Sequence, residues 1–442
     1  MALHFTKEEF KNRKSKVLKS MKEQNLNALL MFKQESMYWL TGYDTFGFVF
    51  FQSLILREDG EIILLTRAPD LRQAQNTSNI KNIKIWEDKE GSNPTDILKD
   101  ILINLNLNGK NIGIEYDSYG LTGRNTLKLN SSLKGFGNLQ DKSELVSYLR
   151  IIKSKEEIIY VRKAAELADK ALDAVWKTAK AGVNEGKILA EMQKVIFEGG
   201  GDYPANEYII GSGHNALLCR YQSEKRILDK QDQLSIEWAG TYKHYHAAMF
   251  RTIPIGKAHK NHFKMYDACI DALINCEKKL IPGNTVGKVF DIHANILDKH
   301  GYKDSRMNAC GYSLGSTFAP NWMDVPPMIF TGNPLIIKPG MVFFMHMILM
   351  DSKEQLAMNL GETYLVTENG NENPKNPIKE LHNQKFKEIG NFLFKIRKNV
   401  NIVILPMISL KDITFRGLIV SNEIFKAAKA DPHITTKQKS IT

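Results

Sequence analysis

The segment EWAGTYKHYHAAMFRT, residues 237–252, places a glutamate, two histidines two residues apart and an Arg-Thr pair within one strand–turn–strand pattern. Imidazole changes charge near neutral pH, so His244 and His246 are candidates for moving a proton or for binding a metal ion. A carboxylate such as Glu237 beside either ring would raise its pKa and fix its tautomer. Side chains alternate along a strand, so His246, Ala248 and Phe250 share one face, while His244 lies nearer the turn. Such a run serves acid–base catalysis, metal binding, or neither.

The elements that must position this run divide the chain into three parts. Residues 1–142 read as a small α/β domain. FTKEEFKNRKSKVLKSMKEQNL has helical apolar spacing, with Thr6 as N-cap and Glu9 three residues on. ALLMF is a buried strand, FQSLILREDGEIILLT a hairpin turning at Asp59-Gly60, and NIGIEYD a further short strand. Residues 143–372 begin with a long helix from Lys153 to about Gly182 and a second helix ended by the glycines at 199–201. Strands follow in YIIGSG, QLSIEWAG and YHAAMFRTIPIG, then helices near 258–280 and 285–299, then strands in PGMVFFMHMILM and GETYLVTE. That order predicts an α+β domain, with helices on one face of a largely antiparallel sheet. Residues 373–442 form a basic tail that the pattern leaves undefined.

With 442 residues, 43% hydrophobic and 25% charged, the composition is that of a globular protein with an ordinary core. No apolar run approaches the roughly 18–20 residues that span a bilayer, and MALHFTKEEFKNRKSK lacks the apolar core of a signal peptide. The expectation is a cytoplasmic protein without a membrane partner. From Asn371 onward there are 13 Lys/Arg against 6 Asp/Glu, a net of +7 out of the chain's +11. The positive excess therefore belongs mainly to the tail, not to a nucleic-acid-binding face. Cys219, Cys269, Cys276 and Cys310 form no CxxC pair, which argues against a disulfide framework or a zinc knuckle.

Taken in order, the small α/β domain, the paired helices, the strand ending in Arg-Thr, the GYSLG turn, PGM before a strand and LVTENG resemble the creatinase, prolidase and aminopeptidase P superfamily. The resemblance spans about residues 5 to 372 and implies a pita-bread catalytic domain. In the metallopeptidases of that family, two Asp, one His and two Glu hold two divalent metals. By resemblance the first Asp falls on Glu237, the second on Ala248, the His on Tyr312, the first Glu on His346, and the last Glu within one residue of Glu362. Alanine offers no ligand atom, and two carboxylates at most remain for two hard cations. The expectation is a site without a metal cofactor. A single divalent cation on Glu237, His246, His346 and Glu362 stays open as a chemical alternative.

The resemblance is nearest to the creatinase and ectoine hydrolase branch, which lacks the full metal set and hydrolyses C–N bonds in small zwitterions. The chain departs from creatinase at Arg220, where that enzyme has a histidine base, and at Phe250 and His346, where it has glutamates. Its substrate is therefore not carried over. Read physically, the candidate catalytic residues are Glu237, His246, His346, Tyr312 and Glu362: His346 or His246 is expected to activate water, with Glu237 orienting or sharing the proton. Arg220, His244 and Asp324 are the expected substrate-binding residues, with Arg220 or Tyr312 on the anionic end. A homodimer is implied, with Tyr38, Tyr43 and Asp44 in the region that assists a neighbouring subunit's cleft. Two alternatives stand beside this reading: an Xaa-Pro dipeptidase or aminopeptidase with an altered metal site, and a catalytically inactive pita-bread binding protein.

Overall fold

The computed structural model describes residues 3–372, and the basic tail expected at 373–442 lies outside the described residues. The first domain opens with α1 (Lys7–Glu23), which starts where its cap predicts: the Thr6 hydroxyl accepts the Glu9 N–H at 3.1 Å, and Phe10, Val17 and Met21 are buried on one face. It continues through β1 (Ala28–Met31), α2 (Gln34–Thr41), β2 (Ser53–Arg57), β3 (Ile62–Arg67), α3 (Leu71–Thr77) and β4 (Asn82–Trp86). Then come α4 (Pro94–Asn104), β5 (Asn111–Ile114), α5 (Gly123–Ser132), β6 (Asn138–Asp141) and α6 (Leu145–Arg150). The six strands form one mixed sheet in the order β4-β3-β2-β1-β5-β6. The hairpin β2–β3 turns through Gly60 at φ 88°, a conformation that glycine adopts without steric cost.

The second domain comprises α7 (Lys155–Thr178), α8 (Glu185–Glu198), β7 (Ile209–Ser212), β8 (Asp232–Tyr242), β9 (Tyr245–Ile255), α9 (Lys260–Glu277) and α10 (Val286–Lys299). It ends with β10 (Gly311–Ser313), β11 (Val342–Asp351), β12 (Leu356–Thr367) and β13 (Gly370–Glu372). The strands run β10-β11-β12-β9-β8-β7, every pair antiparallel, and β13 adds to β12. This is the α+β architecture expected: α7 packs on β8 and β9, and α9 on β11 and β12.

The register divides the sheet residues into two faces. Trp238 faces the helices, its indole N–H donating to the Ala168 carbonyl of α7 at 3.0 Å. Met345 and Met347 pack on the same side with Met265 and Cys269 of α9. The opposite, helix-free face carries Glu237 across from Phe250, Ala239 across from Ala248, and Thr241 across from His246. It continues through Gly361 across from Phe250 and His346, and Tyr312 across from Phe344.

One buried carboxylate joins the two domains. Glu157 completes a capping box with Ser154 at the start of α7. It also accepts hydrogen bonds from Trp39 Nε1 at 3.2 Å and Tyr245 Oη at 2.7 Å, and stands 3.7 Å from the Arg13 guanidinium. Elements α1, α2, α7 and β9 therefore share a single buried anchor, in which the carboxylate charge is balanced by Arg13.

Candidate active site

Glu237 lies in the middle of the helix-free face. It is largely buried; burial raises its pKa to about 7, opposed by the Tyr312 hydroxyl and the Arg220 charge. Tyr312 Oη donates to Glu237 Oε1 at 3.1 Å and accepts from Trp322 Nε1 at 2.8 Å. Burial, with the Glu237 charge beside it, holds the Tyr312 hydroxyl protonated far above neutral pH. Arg220 is exposed and donates to the Cys219 carbonyl at 2.6 Å, close enough for its charge to act on both Glu237 and Tyr312.

His346 reaches the same face from β11, its ring centroid 5.8 Å from that of Tyr312 and 5.4 Å from that of Phe344. Burial lowers its pKa to about 4, so it is neutral at physiological pH. Its Nδ1 is buried and makes no hydrogen bond among the described residues. A buried polar atom without a partner is costly unless a water or a ligand completes it. Glu237, Tyr312, His346 and Arg220 are thus the sequence candidates that the fold brings together.

His246 is on the expected face but is not free to exchange protons. Its Nε2 accepts the Ala205 N–H at 3.0 Å, so the neutral ring carries its hydrogen on Nδ1, which lies 3.1 Å from Thr317 Oγ1. The ring is fully buried, and burial lowers its pKa to about 3. Both nitrogens are committed to stitching two loops together.

Three further expectations are corrected. Glu362 faces the helices: it is buried on the reverse of the sheet and paired with Arg251, which also donates to the Gly361 carbonyl at 2.7 Å. The neighbouring positions that do face the site, Gly361 and Thr363, carry no carboxylate. His244 sits in the β8–β9 turn at φ 65°, bonded to Asp44 Oδ1 at 2.9 Å and stacked on Phe318, at the junction with the first domain and away from the site. Asp324 is buried and already neutralised by Arg150 at 2.7 Å and Lys153 at 3.7 Å. The Asp324 charge is thus spent on Arg150 and Lys153, and the Nε2 of His244 on Asp44.

The first-domain residues singled out from sequence also turn inward. Tyr38 Oη donates to the Lys243 carbonyl at 3.0 Å, Asp44 holds His244, and Tyr43 is buried within its own domain with its hydroxyl on Gln52 at 3.2 Å. Sequence reasoning missed Trp322, Thr317 and Asn206. The signal available for Trp322 was an aromatic flanked by polar and proline residues in PNWMDVPP, a loop within reach of the sheet.

The donor set does not fit two divalent cations. By the resemblance, the five positions of the metal pattern fall on Glu237, Ala248, Tyr312, His346 and, on the site-facing side of β12, Gly361 or Thr363. One carboxylate, one neutral imidazole and one protonated phenol cannot offset two hard cations. Among the described residues no group of three His, Cys, Asp or Glu converges to hold even one ion.

Residues 160–368 match Metallopeptidase family M24, and residues 13–152 match the Creatinase/Prolidase N-terminal domain. The chain is 28% identical to the ectoine hydrolase of Halomonas elongata over 386 residues, covering 84% of this chain and 96% of that protein. It is 26% identical to the Xaa-Pro dipeptidase of Pyrococcus furiosus over 361 residues, 81% of this chain and 96% of that one. Among solved structures, a prolidase from Thermococcus sibiricus superposes with a TM-score of 0.74 at 22% identity, covering 83% of this chain and 97% of the other.

Proposed function

The chain belongs to the creatinase/prolidase/aminopeptidase P superfamily of hydrolases acting on C–N bonds, and we propose that within it this protein cleaves a C–N bond of a small zwitterion by carboxylate chemistry without a metal cofactor. The observation that carries the reading is Glu237: a carboxyl facing the helix-free side, poised at about 7, hydrogen-bonded to Tyr312, with no second carboxylate to share a cation. A general base works best when its pKa lies near the working pH.

In this reading ionised Glu237 takes a proton from water as the water oxygen bonds to the substrate's electrophilic carbon. When the C–N bond breaks, the nitrogen takes the electron pair and Glu237 returns the proton to it. His346 Nδ1, buried and unpartnered, hydrogen-bonds the bound substrate or the attacking water. The exposed Arg220 binds the substrate's carboxylate. The likeness to ectoine hydrolase favours ectoine-type zwitterions as the first compounds to try; a cytoplasmic homodimer completes the proposal.

An Xaa-Pro dipeptidase activity is the second reading, favoured by the Pyrococcus furiosus relative and opposed by the donor set. Purified protein is to be assayed against ectoine-type zwitterions, guanidino acids and Xaa-Pro dipeptides, with and without chelator, and against Glu237→Gln. Chelator-resistant hydrolysis of a zwitterion, abolished in Glu237→Gln, is expected. Chelator-sensitive cleavage of Xaa-Pro dipeptides would replace this reading with the second.

A further inference from the structure

We propose that Trp322 is a positioning residue that fixes the direction of the hydrogen bond from Tyr312 to Glu237, and that His246 holds Trp322 in place for this task. The inference rests on the reading of Glu237 as the acting base, and its geometry comes from five hydrogen bonds that run end to end.

At the outer end, the Ala205 N–H donates to His246 Nε2 at 3.0 Å. That leaves the ring hydrogen on Nδ1, where it donates to Thr317 Oγ1 at 3.1 Å. Thr317 then has its own hydrogen to give, and it goes to the Trp322 carbonyl at 3.3 Å. The Trp322 main chain is held on its other side as well, its N–H donating to Asn206 Oδ1 at 3.1 Å. The indole N–H reaches Tyr312 Oη at 2.8 Å, and Tyr312 reaches Glu237 at 3.1 Å.

An indole N–H is a donor and never an acceptor. A phenol hydrogen lies near the ring plane and has two low-energy directions. One of them points at Trp322, where it would meet another hydrogen. Tyr312 is left with the other, toward Glu237. The direction of the Tyr312 bond is therefore set by the indole alone, while His246, uncharged near neutral pH, holds the Trp322 main chain through Thr317. The consequence for catalysis is a carboxylate with one lone pair permanently occupied and its remaining oxygen free for water. The proton that Glu237 collects has no return path along the chain, so it goes to the departing nitrogen.

A merely structural tryptophan would share the burial of Trp322 but would not sense Glu237. The test uses the full-length, nitrogen-15-labelled protein and reads its tryptophan indole N–H signals, five in this chain. The Trp322 signal is assigned by its loss in Trp322→Phe, or by elimination from the other four if that variant does not fold. It is expected to move between pH 5.5 and 8.5 with one midpoint, and to stop moving in Glu237→Gln and in Tyr312→Phe. In folded Trp322→Phe, the carbon-13 carboxyl signal of Glu237 is expected to titrate about half a unit or more higher, since a freely rotating phenol supports the anion less well. A Trp322 signal that ignores pH, or a Glu237 midpoint unchanged in Trp322→Phe, would overturn the proposal. None of these readouts needs a substrate, so a failed search for hydrolysis would sink the proposed function alone.

Discussion

Arg251 and Glu362 pair on the helix side of the sheet, while Glu237, on the strand next to Arg251, faces the other way. The sheet thus separates a structural ion pair from the carboxylate proposed to act as base by the thickness of one backbone. Glu362→Ala leaves the Arg251 charge buried with backbone acceptors alone. The expected result is a loss of about 3 kcal/mol in unfolding free energy, with kcat per folded molecule unchanged. Urea denaturation beside a rate measurement checks it; a large fall in kcat at unchanged stability would return Glu362 to the catalytic group.

With Glu237 as the proposed base, it is expected to set the acid limb of the rate. Held at about 7, it is increasingly ionised as pH rises through 6 to 8, so kcat is expected to climb over that range and level off. His346 and His246, lowered to about 4 and about 3, are neutral throughout and add no second limb. A profile flat from pH 5.5 to 8.5 would contradict the assignment.

The same carboxyl links stability to pH. Folded Glu237 keeps its proton up to about 7, whereas an unfolded glutamate releases it near its ordinary value of about 4.3. Between those values the folded chain binds more protons than the unfolded one, so stability falls as pH rises through the window. Buried Glu115, also raised to about 7, acts with the same sign. Glu237→Gln removes one contribution and leaves the other. The variant should gain on the wild type between pH 5 and 8, by on the order of 2 to 3 kcal/mol. Denaturant midpoints at the two pH values measure it.

The two cleft-side histidines are expected to separate cleanly. His346→Phe removes an Nδ1 that holds no hydrogen bond among the described residues and keeps most of the volume. Stability should change by less than about 1.5 kcal/mol, while turnover drops about 100-fold or more. His246→Phe strips the Ala205 N–H and the Thr317 hydroxyl of their partner, and costs about 2 to 4 kcal/mol. Thermal unfolding and kcat for both variants decide this; equal stability losses would remove the distinction.

What was legible in the sequence followed from local rules. Thr6 and Glu9 marked the start of α1, and alternation along β9 placed His246, Ala248 and Phe250 on one face with Glu237 opposite. Period-two alternation also explains the miss at Glu362: a displacement of one residue moves a side chain to the other side of the sheet, and here the site-facing neighbours are Gly361 and Thr363. β6, Asn138–Asp141, is polar and lies at the sheet edge, so it carries no hydrophobic pattern to read. The partners of His244 and Asp324 were out of reach for another reason. Asp44 lies 200 residues before His244, and Arg150 lies 174 before Asp324, so only the folded chain shows those charges to be spent.

Gly361 limits what the site could be rebuilt to hold. A Cβ there would meet Phe344 Cζ at 2.6 Å and Phe250 Cβ at 2.9 Å, both rings packed in the core. A carboxylate built at this position would need Phe344 and Phe250 to give way. Aspartate placed at 248 alone would still face β12 without a site-facing carboxylate, because Gly361 and Thr363 stand there. A two-cation site is therefore barred in this chain by packing as well as by its donor set.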